Sequence, residues 1–297
     1  MTEQALGQYY FLDPQCPVNL SKVARRKLLT HDHDLTEIEH YHDFIELVFI
    51  MHGQGVQVLE GNEYPVSAGD VFVLQGYQRH YFKDANQIEI VNVMFDGNKS
   101  PELIGDKVRQ LEGYKALFIL EPQLRSNRKY GNMLHLTREE LAPLEVIINT
   151  MFAEQQHKRA GYEIIMVNRL QELVVLLSRQ VSSNTSTKAR ALVRIGKVVD
   201  YLEENYPEDI YNELLAEMAY MSKRNFMRIF QEAVGMSANS YLRQVRMQKA
   251  CALLSEGNAQ IEEVSQLCGF NDHNFFIKCF KKSFGVTPSK FRARYRV

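Results

Sequence analysis

A pattern that occurs twice, fifty residues apart, constrains this chain more than any other feature. The first copy is Ser222-Lys-Arg-Asn-Phe226-Met-Arg-Ile-Phe230 with Gly235; the second is Asp272-His-Asn-Phe-Phe276-Ile-Lys-Cys-Phe280 with Gly285. In each, a capping residue opens a helix, an i,i+4 pair of Phe faces a core, and Gly closes it. A short apolar helix precedes each copy, Leu214 to Met218 and Ile261 to Leu267, followed by a tight turn. Helix, turn, and a second helix with polar and basic side chains left exposed is the plan by which proteins enter the DNA major groove. One chain holds two such units.

The 297 residues leave room for about two domains. No run approaches the roughly 18 apolar residues that span a bilayer. The start, Met1-Thr-Glu-Gln-Ala, lacks the basic and apolar regions of a signal peptide. Cys16, Cys251, Cys268 and Cys279 form no CxxC and suggest no pairing, so a reduced cytosol is expected. Charge is uneven: residues 188–297 hold 17 of the 35 Lys/Arg and 12 of the 36 Asp/Glu, a net +5, which leaves −6 for residues 1–187. A basic part beside an acidic one suits a polyanion-binding module joined to something that does not touch DNA.

Residues 38–96 read as short strands broken by turns. Phe44 to Ile50 is β-rich, Val56 to Leu59 alternates, Glu60-Gly61-Asn62-Glu63 turns, Val71 to Leu74 follows Gly69-Asp70, and Ile88 to Phe95 closes the set. That spacing indicates a small barrel or sandwich. From Thr137 the period becomes helical, with a stripe through Leu141, Leu144, Ile148 and Met151, and a second helix from about Tyr162 to Gln180. The polar stretch at 182–190 reads as a linker between residues 1–181 and 191–297. Seven helices are expected beyond it. The central one, Ala238 to Ser255, would be about 27 Å long, enough to hold two reading helices roughly one turn of B-DNA apart.

The C-terminal residues resemble the DNA-binding domain of the AraC/XylS family of bacterial transcription regulators. The likeness rests on Ala216, Met221-Ser222, Phe226, Arg228, Phe230, Gly235-Met-Ser, Tyr241-Leu, Arg246, Ala250, Leu254, Ile261, Gly269-Phe270, Asp272, Phe276, Lys278, Phe280-Lys-Lys, Gly285-Val-Thr-Pro288 and Phe291-Arg292. The N-terminal part is similar to that family's cupin-type sensor barrel in His40-Tyr-His42, Glu46, Gly53-Gln-Gly55, Gly69-Asp70 and His80. Gly113 to Pro122 and the surrounding barrel are similar to regulators of L-rhamnose utilisation. The implied fold class is an α+β multidomain chain: an N-terminal cupin-type β-barrel with a helical dimerisation segment, then a C-terminal all-α double helix-turn-helix domain.

In the first reading helix, Phe226, Ile229 and Phe230 are assigned to the core, leaving Arg224, Asn225, Met227 and Arg228 for the groove. Arg can bridge guanine O6 and N7, whereas Met offers only apolar contact. The resemblance projects the same role onto His273, Asn274, Ile277 and Lys278, with Lys281 on phosphate or solvent. In the barrel, His40, His42, Glu46 and His80 have the His-x-His-x3-Glu spacing by which cupin enzymes bind Mn, Fe or Zn. Gln75 and Tyr77 stand where such enzymes usually have Pro and Gly, and in this family the barrel residues usually bind an effector. His40, His42, Glu46, His52, Arg79, His80 and Asn92 are therefore read as effector-binding, with no metal or other cofactor expected. The stripe Leu141-Leu144-Ile148-Met151 packs the interior or forms the homodimer seam that the resemblance implies. The expectation is a cytoplasmic homodimeric activator of carbohydrate-utilisation genes. It would bind operator DNA and a monosaccharide such as L-rhamnose, and would act on RNA polymerase without a membrane partner. The alternatives are a metal-dependent cupin enzyme fused to a DNA-binding domain, or a regulator sensing a non-sugar metabolite.

Overall fold

Eleven strands come first in the computed structural model, which describes residues 3–11, 13, 15–24, 27–29, 38–83, 88–126, 134–257 and 259–295. They are β1 (Glu3–Ala5), β2 (Val18–Ala24), β3 (Lys27–Leu29), β4 (His40–His42), β5 (Ile45–His52), β6 (Gln54–Leu59), β7 (Asn62–Ser67), β8 (Asp70–Leu74), β9 (His80–Lys83), β10 (Glu89–Phe95) and β11 (Leu134–His135). Helices among and after them are α1 (Gly7–Tyr10), α2 (Ser100–Ile104), α3 (Asp106–Arg109), α4 (Glu112–Tyr114), a π-helical segment Lys115–Leu120, α5 (Glu121–Ser126), α6 (Arg138–His157), α7 (Tyr162–Ser183) and α8 (Thr187–Glu204). The remainder are α9 (Asn212–Met218), α10 (Lys223–Val234), α11 (Ala238–Glu256), α12 (Ile261–Leu267), α13 (His273–Phe284) and α14 (Pro288–Tyr295). The chain divides into two compact units, Met1–Val193 and Arg194–Val297.

In the first unit the strands form two sheets, ordered β1-β4-β9-β6-β7 and β11-β8-β5-β10-β2-β3. One core holds inward residues of both: Leu59, Tyr64, Val66 and Phe82 from the first, and Val23, Val48, Ile50, Phe72, Leu74 and Ile90 from the second. Outward residues of β5, β8 and β10 in the second sheet are buried as well, with Leu47, Val73 and Val93 fully enclosed. Helices α5, α6 and α7 pack against strands of this sheet. That is why β5, β8 and β10 read as continuous apolar runs rather than alternating ones.

Thr137 opens α6 through a capping box with Glu140. Leu141, Leu144, Ile148 and Met151 are all buried within this single chain, where α6 packs on α7 and β2. Of the two expectations for this stripe, interior packing or a dimer seam, the fold takes the first, because α7 offers a matching apolar row through Met166, Leu170, Leu173 and Leu177. The apolar residues that α6 and α7 leave exposed are others, Val146, Ile164 and Ile165. Helix α4 lies directly on α7: a Cβ on Gly113 would sit 1.9 Å from the Ser178 carbonyl oxygen, so only Gly allows this approach.

The linker expected at 182–190 is mostly helix, and the boundary between the units falls inside α8. Its Ser-rich composition misled because these hydroxyls serve helix ends. Ser182 and Ser183 donate to carbonyls of α7, and Ser186 Oγ accepts from the Ala189 N–H.

In the second unit Phe226 and Phe230 are fully buried beneath α10, as are Phe276 and Phe280 beneath α13. Ser222 and Asp272 cap the two helices, and Gly235 and Gly285 end them in the left-handed conformation. Helix α11 packs on α10 and also on α12, α13 and α14. The turns before the two reading helices differ. The second has Gly269 at φ 75°, where a Cβ would lie 2.4 Å from the Pro207 carbonyl oxygen. The first accepts the exposed Tyr220 at φ 52°, with Arg194 over its ring.

Candidate effector pocket and DNA interface

Pairing register decides which barrel residues face inward. Glu46 lies opposite Leu74, His80 opposite Leu59, and Asn92 opposite Val48, and each of these partners belongs to the interior core. His40 pairs with His80 across β4 and β9. Side chains alternate along a strand, so His42 shares the face of His40. All five of these polar residues are buried. His52 and Arg79 are not among them. His52 ends β5 in solvent, and Arg79 pairs with Glu60 on the surface at 3.4 Å. Both sit at strand ends, where alternation no longer aims side chains at the core.

The three imidazoles are oriented by backbone carbonyls. Nδ1 of His42 meets Phe44 O at 2.7 Å, Nδ1 of His80 meets Gln78 O at 2.9 Å, and Nδ1 of His40 meets Ile38 O at 3.3 Å. A carbonyl only accepts, so Nδ1 carries the proton, and Nε2 of a neutral ring presents a lone pair. Nε2 of His42 and of His80 lie 3.5 and 3.7 Å from one Glu46 oxygen, and neither has a hydrogen-bond partner among the described residues. Burial, helped by the neighbouring His40 and His42 and opposed by Glu46, drives the His80 pKa down to about 3. Acceptors therefore face acceptors. The cluster is built for a guest that supplies hydrogen-bond donors or positive charge. Ligand atoms of His42, Glu46 and His80 lie within 4.8 Å of one another, a spacing that could also hold a metal ion.

A second buried polar group was not legible in the sequence. Arg125, on α5, is completely enclosed; its Nε donates to Glu121 Oε1 and its Nη1 to Gln57 Oε1, both at 2.9 Å. Its guanidinium lies 4.1 Å from the centre of the Phe72 ring, and Tyr64 Oη donates to its carbonyl. In sequence, Glu121 and Arg125 look like an ordinary i,i+4 pair on an exposed helix. Gln75 and Gln78 donate side-chain N–H groups to Phe118 O and Pro122 O, fastening the π-helical segment and α5 to the β8–β9 turn. Tyr77 takes φ 69° in that turn, and its side chain is exposed.

On α10, Arg224, Met227 and Arg228 are exposed and Asn225 is half-buried. Arg228 donates to Asn225 at 2.9 Å and to Glu232 at 3.1 Å, so its guanidinium is already oriented along the helix face. On α13, Asn274, Lys278 and Lys281 are exposed. Ile277, expected in the groove, is half-buried and packs partly against the core beneath α13. His273 is half-buried, while Phe275, assigned no contact from the sequence, is 46% exposed between Asn274 and Lys278.

A helix-turn-helix domain family matches residues 215–294, and the AraC-like ligand binding domain family matches residues 28–108. The chain belongs to the AraC family. As an AraC-family protein it is a DNA-binding transcription regulator with a ligand-binding domain. It is 27% identical over 256 residues to the HTH-type transcriptional activator RhaS of Escherichia fergusonii, spanning 86% of this chain and 87% of that protein. Against the activator of the same name from Enterobacter sp. (strain 638) the identity is 26% over 258 residues, 86% and 87% of the two chains. Among solved structures, the DNA-binding domain of AdpA in complex with a target DNA is 31% identical, covering 34% of this chain and 92% of that one, with a TM-score of 0.34. The ligand-binding match contains the His40, His42, Glu46, His80 and Asn92 cluster, and the helix-turn-helix match contains both α10 and α13.

Proposed function

We propose that this AraC-family regulator activates carbohydrate-utilisation genes by sensing a neutral monosaccharide, such as L-rhamnose, inside its barrel. The observation that carries this reading is the set of enclosed imidazole Nε2 acceptors around Glu46. A sugar offers several hydroxyl donors on one small apolar frame, and Phe44, stacked on His42 at 4.2 Å, supplies an aromatic wall. The likeness to activators named RhaS supports the same class. His40, His42, Glu46, His80 and Asn92 hold the effector; His52 and Arg79 stay outside it. Arg224, Asn225, Met227 and Arg228 read one major-groove segment, and Asn274 and Lys278 the next, with Lys281 on phosphate. The protein works in the cytoplasm as a homodimer that engages RNA polymerase and carries out no catalysis. A fluorescence melt against a panel of neutral monosaccharides tests this. A ligand at a hundred times its Kd stabilises the native state by about 2.7 kcal/mol. No shift with any sugar of the panel overturns the reading.

A second reading has its own observation, the close spacing of His42, Glu46 and His80. Near-stoichiometric divalent metal in the purified protein, with chelators lowering its melting temperature, would replace the sugar site with a metal centre.

A further inference from the structure

We propose that Gln57 and Glu121, held by Arg125, form a second end of the barrel pocket that binds two adjacent hydroxyls of an uncharged polyol. This rests on the reading of the barrel as a sugar site. Arg125 uses one terminal atom of each neighbour, Oε1 of Glu121 and Oε1 of Gln57. The other terminal atoms, Gln57 Nε2 and Glu121 Oε2, are enclosed and have no hydrogen-bond partner among the described residues. Native interiors leave few such atoms unpaired, and each asks for a guest. Here one is a donor and the other an acceptor, and a single planar guanidinium grips the partner oxygen of each. Adjacent hydroxyls answer that pair: one accepts from Gln57 while its neighbour donates to Glu121.

The register places this end beside the first. Gln57 lies opposite Phe82 and Tyr64, on the inner face, two residues along β6 from Leu59, which faces His80. His80 is therefore one strand over and two residues along from Gln57, a diagonal of about 7–8 Å, which a single sugar ring with its hydroxyls can bridge. The two ends also share an anchor, since Gln78 accepts from His80 with its carbonyl and holds Pro122 O with its side chain. Charge sets the ligand class. Arg125 is balanced by Glu121, Glu46 adds a negative charge, and the imidazoles present lone pairs. A sugar phosphate or sugar acid meets repulsion there. Burial raises the Glu121 carboxyl pKa against the pull of Arg125, so a hydroxyl donor relieves an under-solvated carboxylate.

The test is calorimetric titration of L-rhamnose and a panel of neutral monosaccharides into wild type and Gln57→Glu. This substitution keeps the oxygen that Arg125 grips and turns the free donor into an acceptor. Affinity for the sugar that wild type binds should fall on the order of 10- to 100-fold, with the circular dichroism spectrum retained. Single-deoxy analogues of that sugar against wild type form an arm that does not depend on the variant folding. Removal of either of two adjacent hydroxyls should cause a comparable loss, and Gln57→Glu should ignore the removal of one of them. Unchanged affinity in a folded variant, no sensitive adjacent pair, or tighter binding of a sugar phosphate than of its parent would each overturn the proposal. Wild type that binds no sugar would overturn the sugar reading itself, and this inference with it.

Discussion

Acidification should unfold the barrel unit earlier than its carboxylates alone would cause, because His80 takes up a proton below about pH 6.5 when unfolded and resists it when folded. Its pKa falls from 6.5 to about 3 on folding, chiefly through burial, with His40 and His42 adding to the shift and Glu46 opposing it. Between those values the unfolded chain binds more protons than the native one, so stability rises with pH and falls as pH drops below 6.5. Above pH 6.5 the group contributes no penalty. At pH 5, one and a half units below the unfolded value, the loss is about 2 kcal/mol. By pH 3 it approaches about 5 kcal/mol. His80→Asn retains an amide donor for Gln78 O and cannot titrate. Urea denaturation of wild type and His80→Asn at pH 7 and pH 5 isolates the effect. The variant is less stable at pH 7 because of lost packing, but wild type should lose about 2 kcal/mol more than the variant between the two pH values. An equal loss in both proteins would place the imidazole in contact with water and remove the pH effect assigned to it.

Arg228→Ala should weaken binding to a selected DNA site by about 1–3 kcal/mol and relax its base preference, whereas Lys281→Ala should weaken all DNA binding and flatten its salt dependence; gel-shift titrations across a salt series distinguish them. Footprinting should show two protected major-groove segments about 34 Å apart per protomer, and a single segment at saturation would mean that α13 does not engage. Leu144→Ala should destabilise the first unit by about 2–5 kcal/mol while sedimentation shows the oligomeric state unchanged, since the side chain is internal. Gly113→Ala forces α4 off α7 and should lower the melting temperature more than an exposed Gly61→Ala does, by calorimetry.

Much of this architecture could be read from the chain because local and tertiary preferences agree there. Phe226 with Phe230, and Phe276 with Phe280, sit between caps and terminating Gly residues, so periodicity and burial give one answer. The spacing of His40, His42, Glu46 and His80 is visible in the sequence, and strand alternation carries them to one buried face. What stayed hidden depended on pairing that no local pattern encodes. Gln57, Glu121 and Arg125 meet across 68 residues through a π-helical segment, and each alone looks like a solvated polar residue. His52 and Arg79 misled in the opposite sense, since residue type suggested a pocket and position at a strand end denied it. The α6 stripe has the same period whether it faces α7 or another protomer, and only the three-dimensional packing decides.

Coupling of the barrel to the reading helices through the effector is the step on which sensing depends. It is tested most directly by titrating the sugar that stabilises the protein into free protein and into protein saturated with a duplex selected from a random library. Coupling of binding free energies is reciprocal, so the DNA must change the sugar's affinity by the factor by which the sugar changes the DNA's. Matching factors of roughly 5- to 150-fold are expected in both directions. Equal sugar affinity with and without DNA, beside a sugar that demonstrably binds, would contradict it.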